Sequence, residues 1–197
     1  MANQIETNIE ISHENRNKAT VLFRIFLSIP VVIFLWLFTE AAEEASTLNL
    51  LVFTLPVAAA LVVRHVYPSW LLSFNHAILE FETRFVAYLL LLTDDYPSFE
   101  RNPKVSVILP DVEGGKRLDR WLPLFKWLLA IPLYIVGAIY VVLTIFTTFF
   151  AWIITAVSGR YPDWAGNIAL GTIKYWNRVF GYAFVLVTDE YPSFKLD

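Results

Sequence analysis

The chain of 197 residues contains no cysteine and a single methionine. The lack of cysteine excludes disulfides, thiolate metal sites and a cysteine nucleophile. Charged residues are also scarce: Asp, Glu, Lys and Arg make up 17% of the chain, whereas soluble domains contain about 25%. The net charge of −3 is too small to favour a nucleic-acid partner. The composition therefore argues against a secreted disulfide scaffold and against a nucleic-acid-binding protein.

Patterns that carry catalysis are also missing from the sequence. There is no Gly-rich phosphate loop, no nucleophile elbow and no His-Glu-x-x-His spacing among the three histidines. Two acidic pairs, Asp94-Asp95 and Asp189-Glu190, surround a cation poorly, because hard cations need several converging oxygens. They are more typical of turns that end helices. We therefore predict a protein that is not an enzyme and has no cofactor and no metal site.

Apolar residues are abundant instead, at 57% of the chain, and they occur in blocks. Blocks of this kind are the signature of membrane spans. We predict two membrane hairpins, at about 22–63 and about 121–157, and thus four short transmembrane helices. The second hairpin has barely enough length for two crossings of about 17 residues each. A wedge that enters and leaves on the cytoplasmic side is the alternative.

Three short strings occur twice in the same order, which predicts an internal duplication. The pairs are Ile29-Pro30 with Ile131-Pro132, Tyr67-Pro68-Ser69-Trp70 with Tyr161-Pro162-Asp163-Trp164, and Thr93–Phe99 with Thr188–Phe194. We predict two modules, residues 1–104 and 105–197, related by a pseudo-twofold axis near the membrane normal. The fold class is then mainly α, with two tandem hairpin-plus-amphipathic-helix modules and a small cytoplasmic β element.

Each module is predicted to contain the same elements in the same order. A short strand (8–11 or 105–109) comes first and pairs with the segment after the acidic Tyr-Pro motif. A basic segment and the hairpin follow, and a Tyr-Pro pair then interrupts the chain, because the residue before proline avoids helical angles. An amphipathic helix ends each module, at about 69–93 and about 163–188. Such a helix could lie in the bilayer interface or pack on the hairpins.

The placement of the basic residues predicts the orientation. All fifteen Lys and Arg lie outside residues 41–63 and 127–159. Under the positive-inside rule both termini and both amphipathic helices are cytoplasmic. The acidic hairpin tip, Glu40–Thr47, is then expected on the far side of the membrane.

Four arginines are candidate lipid or structural anchors. Arg84 and Arg178 occupy matching positions, and Arg64 and Arg160 stand where the two hairpins end. A guanidinium fork matches the oxygens of a lipid phosphate. The alternative is a bond within the module, to an acidic turn, a Tyr-Pro segment or backbone carbonyls.

The second half resembles a known family. The strings Lys126–Pro132, Ser158–Pro162, Tyr175–Val179 and Thr188–Phe194 resemble the bacterial membrane domain called the domain of unknown function 4389 family. The resemblance covers about 105–197 well and the first half more weakly. It implies a fold and a location in the bacterial inner membrane, and no activity.

We therefore expect a scaffold or accessory subunit of a membrane assembly that also binds lipid. Its partners would be membrane lipids and either other membrane protein subunits or further copies of itself. A small transporter or channel formed by oligomerisation is one alternative, since duplicated modules are common there. A membrane-curvature-shaping protein is another.

Overall fold

The computed structural model describes residues 3–43, 49–98, 100 and 102–196, with the backbone alone for 36–43 and 49–53. Residues 44–47 of the predicted hairpin tip, Glu40–Thr47, lie outside this range. The fold is mainly helical with one two-stranded sheet. The elements are β1 (Glu6–Ile9), α1 (Lys18–Glu43), α2 (Asn49–Arg64), α3 (Ser69–Leu89), β2 (Val105–Ile108), two 3₁₀ turns (Glu113–Gly115 and Leu122–Leu124), α4 (Lys126–Leu129), α5 (Ile131–Ser158) and α6 (Asp163–Ala183).

Among the described residues two helices are long and apolar enough to cross a bilayer, not the four predicted. They are the Lys18–Leu35 part of α1 and the whole of α5. The predicted hairpin at 121–157 is wrong, because its residues form a single long helix after a short turn. Pro132 sits in the first turn of α5, where proline is tolerated, and Gly159 ends the helix in a left-handed conformation with φ 75°. Between them no residue type forces a bend.

One face of α6 packs along α5. The Tyr175 hydroxyl donates to the carbonyl of Leu133 at 2.8 Å, and the hydroxyls of Thr144 and Thr172 lie 2.8 Å apart. Gly137 of α5 lies directly against α6, because an added Cβ there would lie 2.6 Å from the ring of Trp176. These contacts make α5 and α6 an antiparallel pair that is in contact over most of its length.

The opposite face of α6 packs against the extended N-terminal segment. Ile5 lies against Gly181, close to the C-terminal end of α6. Asn177 donates to the Thr7 hydroxyl at 2.8 Å. At the other end of the helix, His13 pairs with Asp163 at 2.9 Å. Residues 5–13 therefore run antiparallel to α6 from one of its ends to the other.

The first half uses the same arrangement around α3. On one side α1 contacts it, since Arg24 donates to the carbonyl of Tyr88 at 2.6 Å. On the other side β2 contacts it, since His76 donates to the carbonyl of Val107 at 2.6 Å. Helices α1 and α5 also pack together. The molecule thus has three layers: an outer layer of α1, α2, α4 and α5, a middle layer of α3 and α6, and an inner layer of the sheet with the N-terminal segment.

The two predicted strands exist, but their predicted partners are wrong. β1 pairs with β2 in an antiparallel ladder, with Glu6 opposite Ile108 and Ile9 opposite Val105. The segments after the Tyr-Pro motifs are not the partners. Thr7 and Val107 are buried, so the sheet buries one face on the middle layer, and that packing brings the two strands together.

Both amphipathic helices begin where predicted and end four or five residues early, at Leu89 and Ala183. The chain then turns through a leucine with positive φ, Leu91 at 68° and Leu186 at 60°. Leucine rarely adopts this conformation. Both side chains are buried to about 1% exposure or less, so packing holds the turn. The turns direct the acidic motifs back towards the outer layer.

Candidate functional site

A continuous apolar stripe covers the outward face of α5. Its members follow at intervals of three and four residues, which places them on one side of a helix. More than half of each side chain is exposed: Ile135, Ile139, Val142, Phe146 and Phe149. Outward residues of α1 extend the surface, among them Phe23, Ile25 and Phe26 at 55–68% exposure. Soluble monomers rarely present apolar patches of this extent.

Basic side chains stand at the ends of this outer layer. Lys18, at the start of α1, donates to the carbonyl of Val157 near the end of α5. Arg120, just before α4, donates to the carbonyl of Val62 in α2. The predicted anchors Arg64 and Arg160 are exposed at the ends of α2 and α5. The apolar surface is thus rimmed by positive charge suited to anionic headgroups.

The predicted anchors Arg84 and Arg178 lie on the middle helices and contact the chain that follows each acidic motif. Arg84 is 4% exposed, pairs with Glu80 at 3.0 Å and donates to the carbonyl of Ser98 at 3.1 Å. Arg178 donates to the carbonyl of Lys195 at 2.5 Å. These are bonds within each half of the chain, which is the alternative considered above. Whether either arginine also binds lipid stays a prediction.

Sequence reasoning missed a buried charge cluster in the first half. Arg24 and Arg16 both contact Asp94, at 2.5 and 3.0 Å, and their side chains are 2% and 0% exposed. Arg24 also lies 4.4 Å from the centre of the Tyr88 ring. Arg16 also donates to the carbonyls of Ser12 and Leu91. The cluster holds α1 and the N-terminal segment to the acidic turn.

The second half contains a similar cluster with a lysine. Lys126 is fully buried, lies 2.6 Å from Asp189 and donates to the carbonyl of Thr188 at 2.7 Å. Its ammonium group lies 5.3 Å from the centre of the Tyr182 ring. Burial lowers the pKa of Lys126, and Asp189 partly offsets that effect. Charge that is buried in this way is stable while it is paired.

One feature of the sequence could have predicted that Arg24 and Lys126 have partners inside the protein. Arg24 stands five residues before Ile29-Pro30, and Lys126 stands five residues before Ile131-Pro132. Both cations lie inside the ranges predicted as hairpins, at about 22–63 and about 121–157. A cation within a predicted apolar span is expected to have a partner inside the protein, because an unpaired charge there is unfavourable.

Two tyrosines connect the halves reciprocally. Tyr67 donates to the carbonyl of Val185 at 2.6 Å, and Tyr161 donates to the carbonyl of Leu90 at 3.0 Å. Burial raises the pKa of Tyr67 to about 12 and also raises that of Tyr161. Between the tyrosines, Thr83 of α3 and Asn177 of α6 bond to each other. Each half therefore supplies a donor and an acceptor to the other.

A cavity of about 340 Å³ lies between α3, α5 and α6. Its walls are mostly apolar, with Val86, Ile145 and Phe180 among them, and Glu82 also lines it. Burial raises the pKa of this carboxyl. A cavity of this size and character can take part of an acyl chain.

Comparison with known protein families gives a match for part of the chain. Residues 120–195 match the model of a family described as a domain of unknown function (DUF4389). The match confirms the predicted resemblance for the second half. It occurs once and covers less than half of the chain, so it lends no support to a second copy of the family domain. No curated protein and no solved structure matches the chain.

Proposed function

We propose that this chain is a non-enzymatic membrane protein that acts as a scaffold or accessory subunit and contacts lipid through its outer layer. The observation that carries the proposal is the apolar stripe on α5, exposed along the helix and rimmed by basic residues. In an aqueous environment this apolar surface would stay exposed to water, which is unfavourable. The apolar cavity beside Glu82 supports lipid binding at the same layer.

The proposed location is the bacterial inner membrane, with both termini in the cytoplasm. The basic residues at the ends of the outer layer support this orientation, because cytoplasmic segments near a membrane carry an excess of Lys and Arg. The proposed partners are membrane lipids and either other membrane protein subunits or a second copy of the chain.

The proposal includes an internal duplication of one module. Its support lies in matched contacts as well as matched strings. Helices α3 and α6 each contain 21 residues and begin after a Tyr-Pro pair. The Arg24–Asp94 pair has its counterpart in Lys126–Asp189. A duplicated chain would present two similar faces to its partners, which suits a scaffold.

Purification from membranes in a mild detergent tests the proposal. We expect the chain to stay with membranes after washing in alkaline carbonate, and to co-purify with a membrane protein partner or as a homo-oligomer with bound lipid. Phe146→Asp should weaken membrane retention, because it places a carboxylate in the apolar stripe. Asn8→Asp, an exposed change on the inner layer, is the matched control. A monomer free of partner and lipid would contradict the scaffold role, and ion flux in proteoliposomes would favour a channel.

A further inference from the structure

The order of the layers constrains how the molecule can meet a bilayer. Residues 5–13 run along the whole of α6, and α5 runs along its other face. Helix α5 contains 28 residues. If it crossed the membrane along the normal, the N-terminal segment would cross the hydrocarbon at the same depth.

That segment is unsuited to hydrocarbon. Glu6, Asn8 and Glu10 are exposed on the inner layer. A carboxylate at the bilayer centre is unfavourable, because the ionised group loses its hydration there. The sheet has two strands, so each strand has one edge without a strand partner, and open sheet edges do not occur in lipid. If α5 crossed the bilayer, the polar side chains of the N-terminal segment and the open edges of the sheet would therefore lie in hydrocarbon.

The distribution of charge leads to the same result. Lys116, Arg117 and Arg120 precede α5, and Arg160 follows it, with Lys18 also at that end. A helix that crosses once should have its basic residues mainly at the cytoplasmic end. Basic residues at both ends of α5 instead fit two ends that lie at the same headgroup surface.

The apolar stripe completes the argument. It extends from Ile135 to Val157, which is 74% exposed, and so covers nearly the full length of α5 on one side. The other side carries the buried residues Leu133, Thr144 and Thr155, which face the middle layer. Along its length α5 therefore has one side that can contact acyl chains and one side that protein covers, and the protein on that side continues to the polar inner layer.

From these observations we propose that α5 lies flat in the cytoplasmic leaflet of an anionic bilayer, with its outward face in the acyl region, and that it does not cross the bilayer. This inference rests on the proposed membrane role and specifies its lipid-facing surface. The middle layer then sits at the headgroups, and the inner layer stands in the cytoplasm. As in the wedge alternative, residues 121–157 would then stay on the cytoplasmic side. They would do so as one helix lying along the membrane surface and not as a hairpin.

Depth measurements on single cysteines test this orientation. The chain has no native cysteine, so a spin label can be placed at Ile135→Cys, Phe146→Cys or Ile153→Cys in turn. Asn8→Cys gives the aqueous reference, and circular dichroism checks that each variant is folded. The vesicles contain phosphatidylethanolamine with anionic phosphatidylglycerol. Oxygen and a water-soluble nickel complex report the depth of each label.

We expect the three α5 labels to lie at the same shallow depth and the Asn8 position to be fully accessible to nickel. If α5 crosses the bilayer along its normal, Ile135 and Phe146 should differ in depth by about 16 Å, because eleven residues separate them at 1.5 Å each. That profile would overturn the flat orientation and leave membrane association intact. Full nickel access at all four positions would instead contradict the proposed membrane role and the inference with it.

Discussion

Asp189→Asn should destabilise the protein strongly, because it removes the charge that faces a fully buried lysine. Lys126 has 0% side-chain exposure and lies 2.6 Å from Asp189. Breaking a buried ion pair from one side costs about 3–5 kcal/mol. Asp189 keeps 23% exposure, so we expect about 3 kcal/mol, the low end of that range. For a chain of this size, the melting temperature should fall by about 6–12 °C.

A double-mutant cycle separates the ion pair from other effects. Lys126→Met combined with Asp189→Asn should recover most of the loss, because apolar replacements of a buried pair are often neutral. The matched control is Asp95→Asn. Asp95 pairs with Lys104 at 3.0 Å, but both side chains are about 40% exposed, and exposed pairs contribute little. Thermal unfolding in detergent, followed by circular dichroism, measures Asp189→Asn, Lys126→Met, the double variant and the Asp95→Asn control.

The pH dependence gives an independent check on the same lysine. Burial holds the pKa of Lys126 below its ordinary value of 10.5. Between the two values the unfolded chain binds more protons than the folded one, so stability rises with pH. Asp189→Asn removes a group that raises this pKa, so its deficit relative to the parent should shrink as pH rises towards 10.5. An Asp189→Asn variant that melts with the parent at neutral pH would refute the reasoning.

Other perturbations test the remaining contacts. Arg178→Ala should lower stability by about 1.5–3 kcal/mol and Arg178→Lys should recover part of it; unchanged melting with loss of an anionic lipid would make this arginine a ligand site. Tyr67→Phe should reduce the loss of stability above pH 10, since a pKa raised to about 12 corresponds to about 2.7 kcal/mol; identical alkaline unfolding curves would contradict this. Asn177→Leu should cost about 1–3 kcal/mol in chemical denaturation by leaving buried hydroxyls unpaired, and a neutral result would show that water replaces the amide. Ser12→Cys and Lys195→Cys should react with an impermeant thiol reagent after cell lysis and not in intact cells; labelling in intact cells would reverse the orientation.

The parts of the fold that could be predicted were those encoded locally. Tyr67-Pro68 and Tyr161-Pro162 break the chain and begin the middle helices, because proline restricts the residue before it. The alternating stretch around Val105 forms a strand. The partner of that strand could not be predicted, because it is set by packing on α3 and α6 rather than by local pattern.

The missed features depend on distant neighbours. Composition describes residues 121–157 as apolar but does not distinguish two short spans from one helix lying along α6. The burial of Lys126 depends on its contacts with Asp189 and Tyr182, which lie near the end of the chain and far from it in sequence. The matching positions of Arg84 and Arg178 could be predicted from the sequence. The contact of Arg84 with Ser98 could not, because it depends on how the chain folds.

The reciprocal tyrosines also determine how the chain can fold during synthesis. Tyr67 is followed by 118 residues before its acceptor at Val185 is made. At about 5–20 residues per second, the ribosome needs roughly 6–24 s to deliver that partner. The carbonyl of Leu90 likewise receives its bond only after Tyr161 is made. The two tyrosine contacts that join the halves therefore form only when most of the chain has been synthesised.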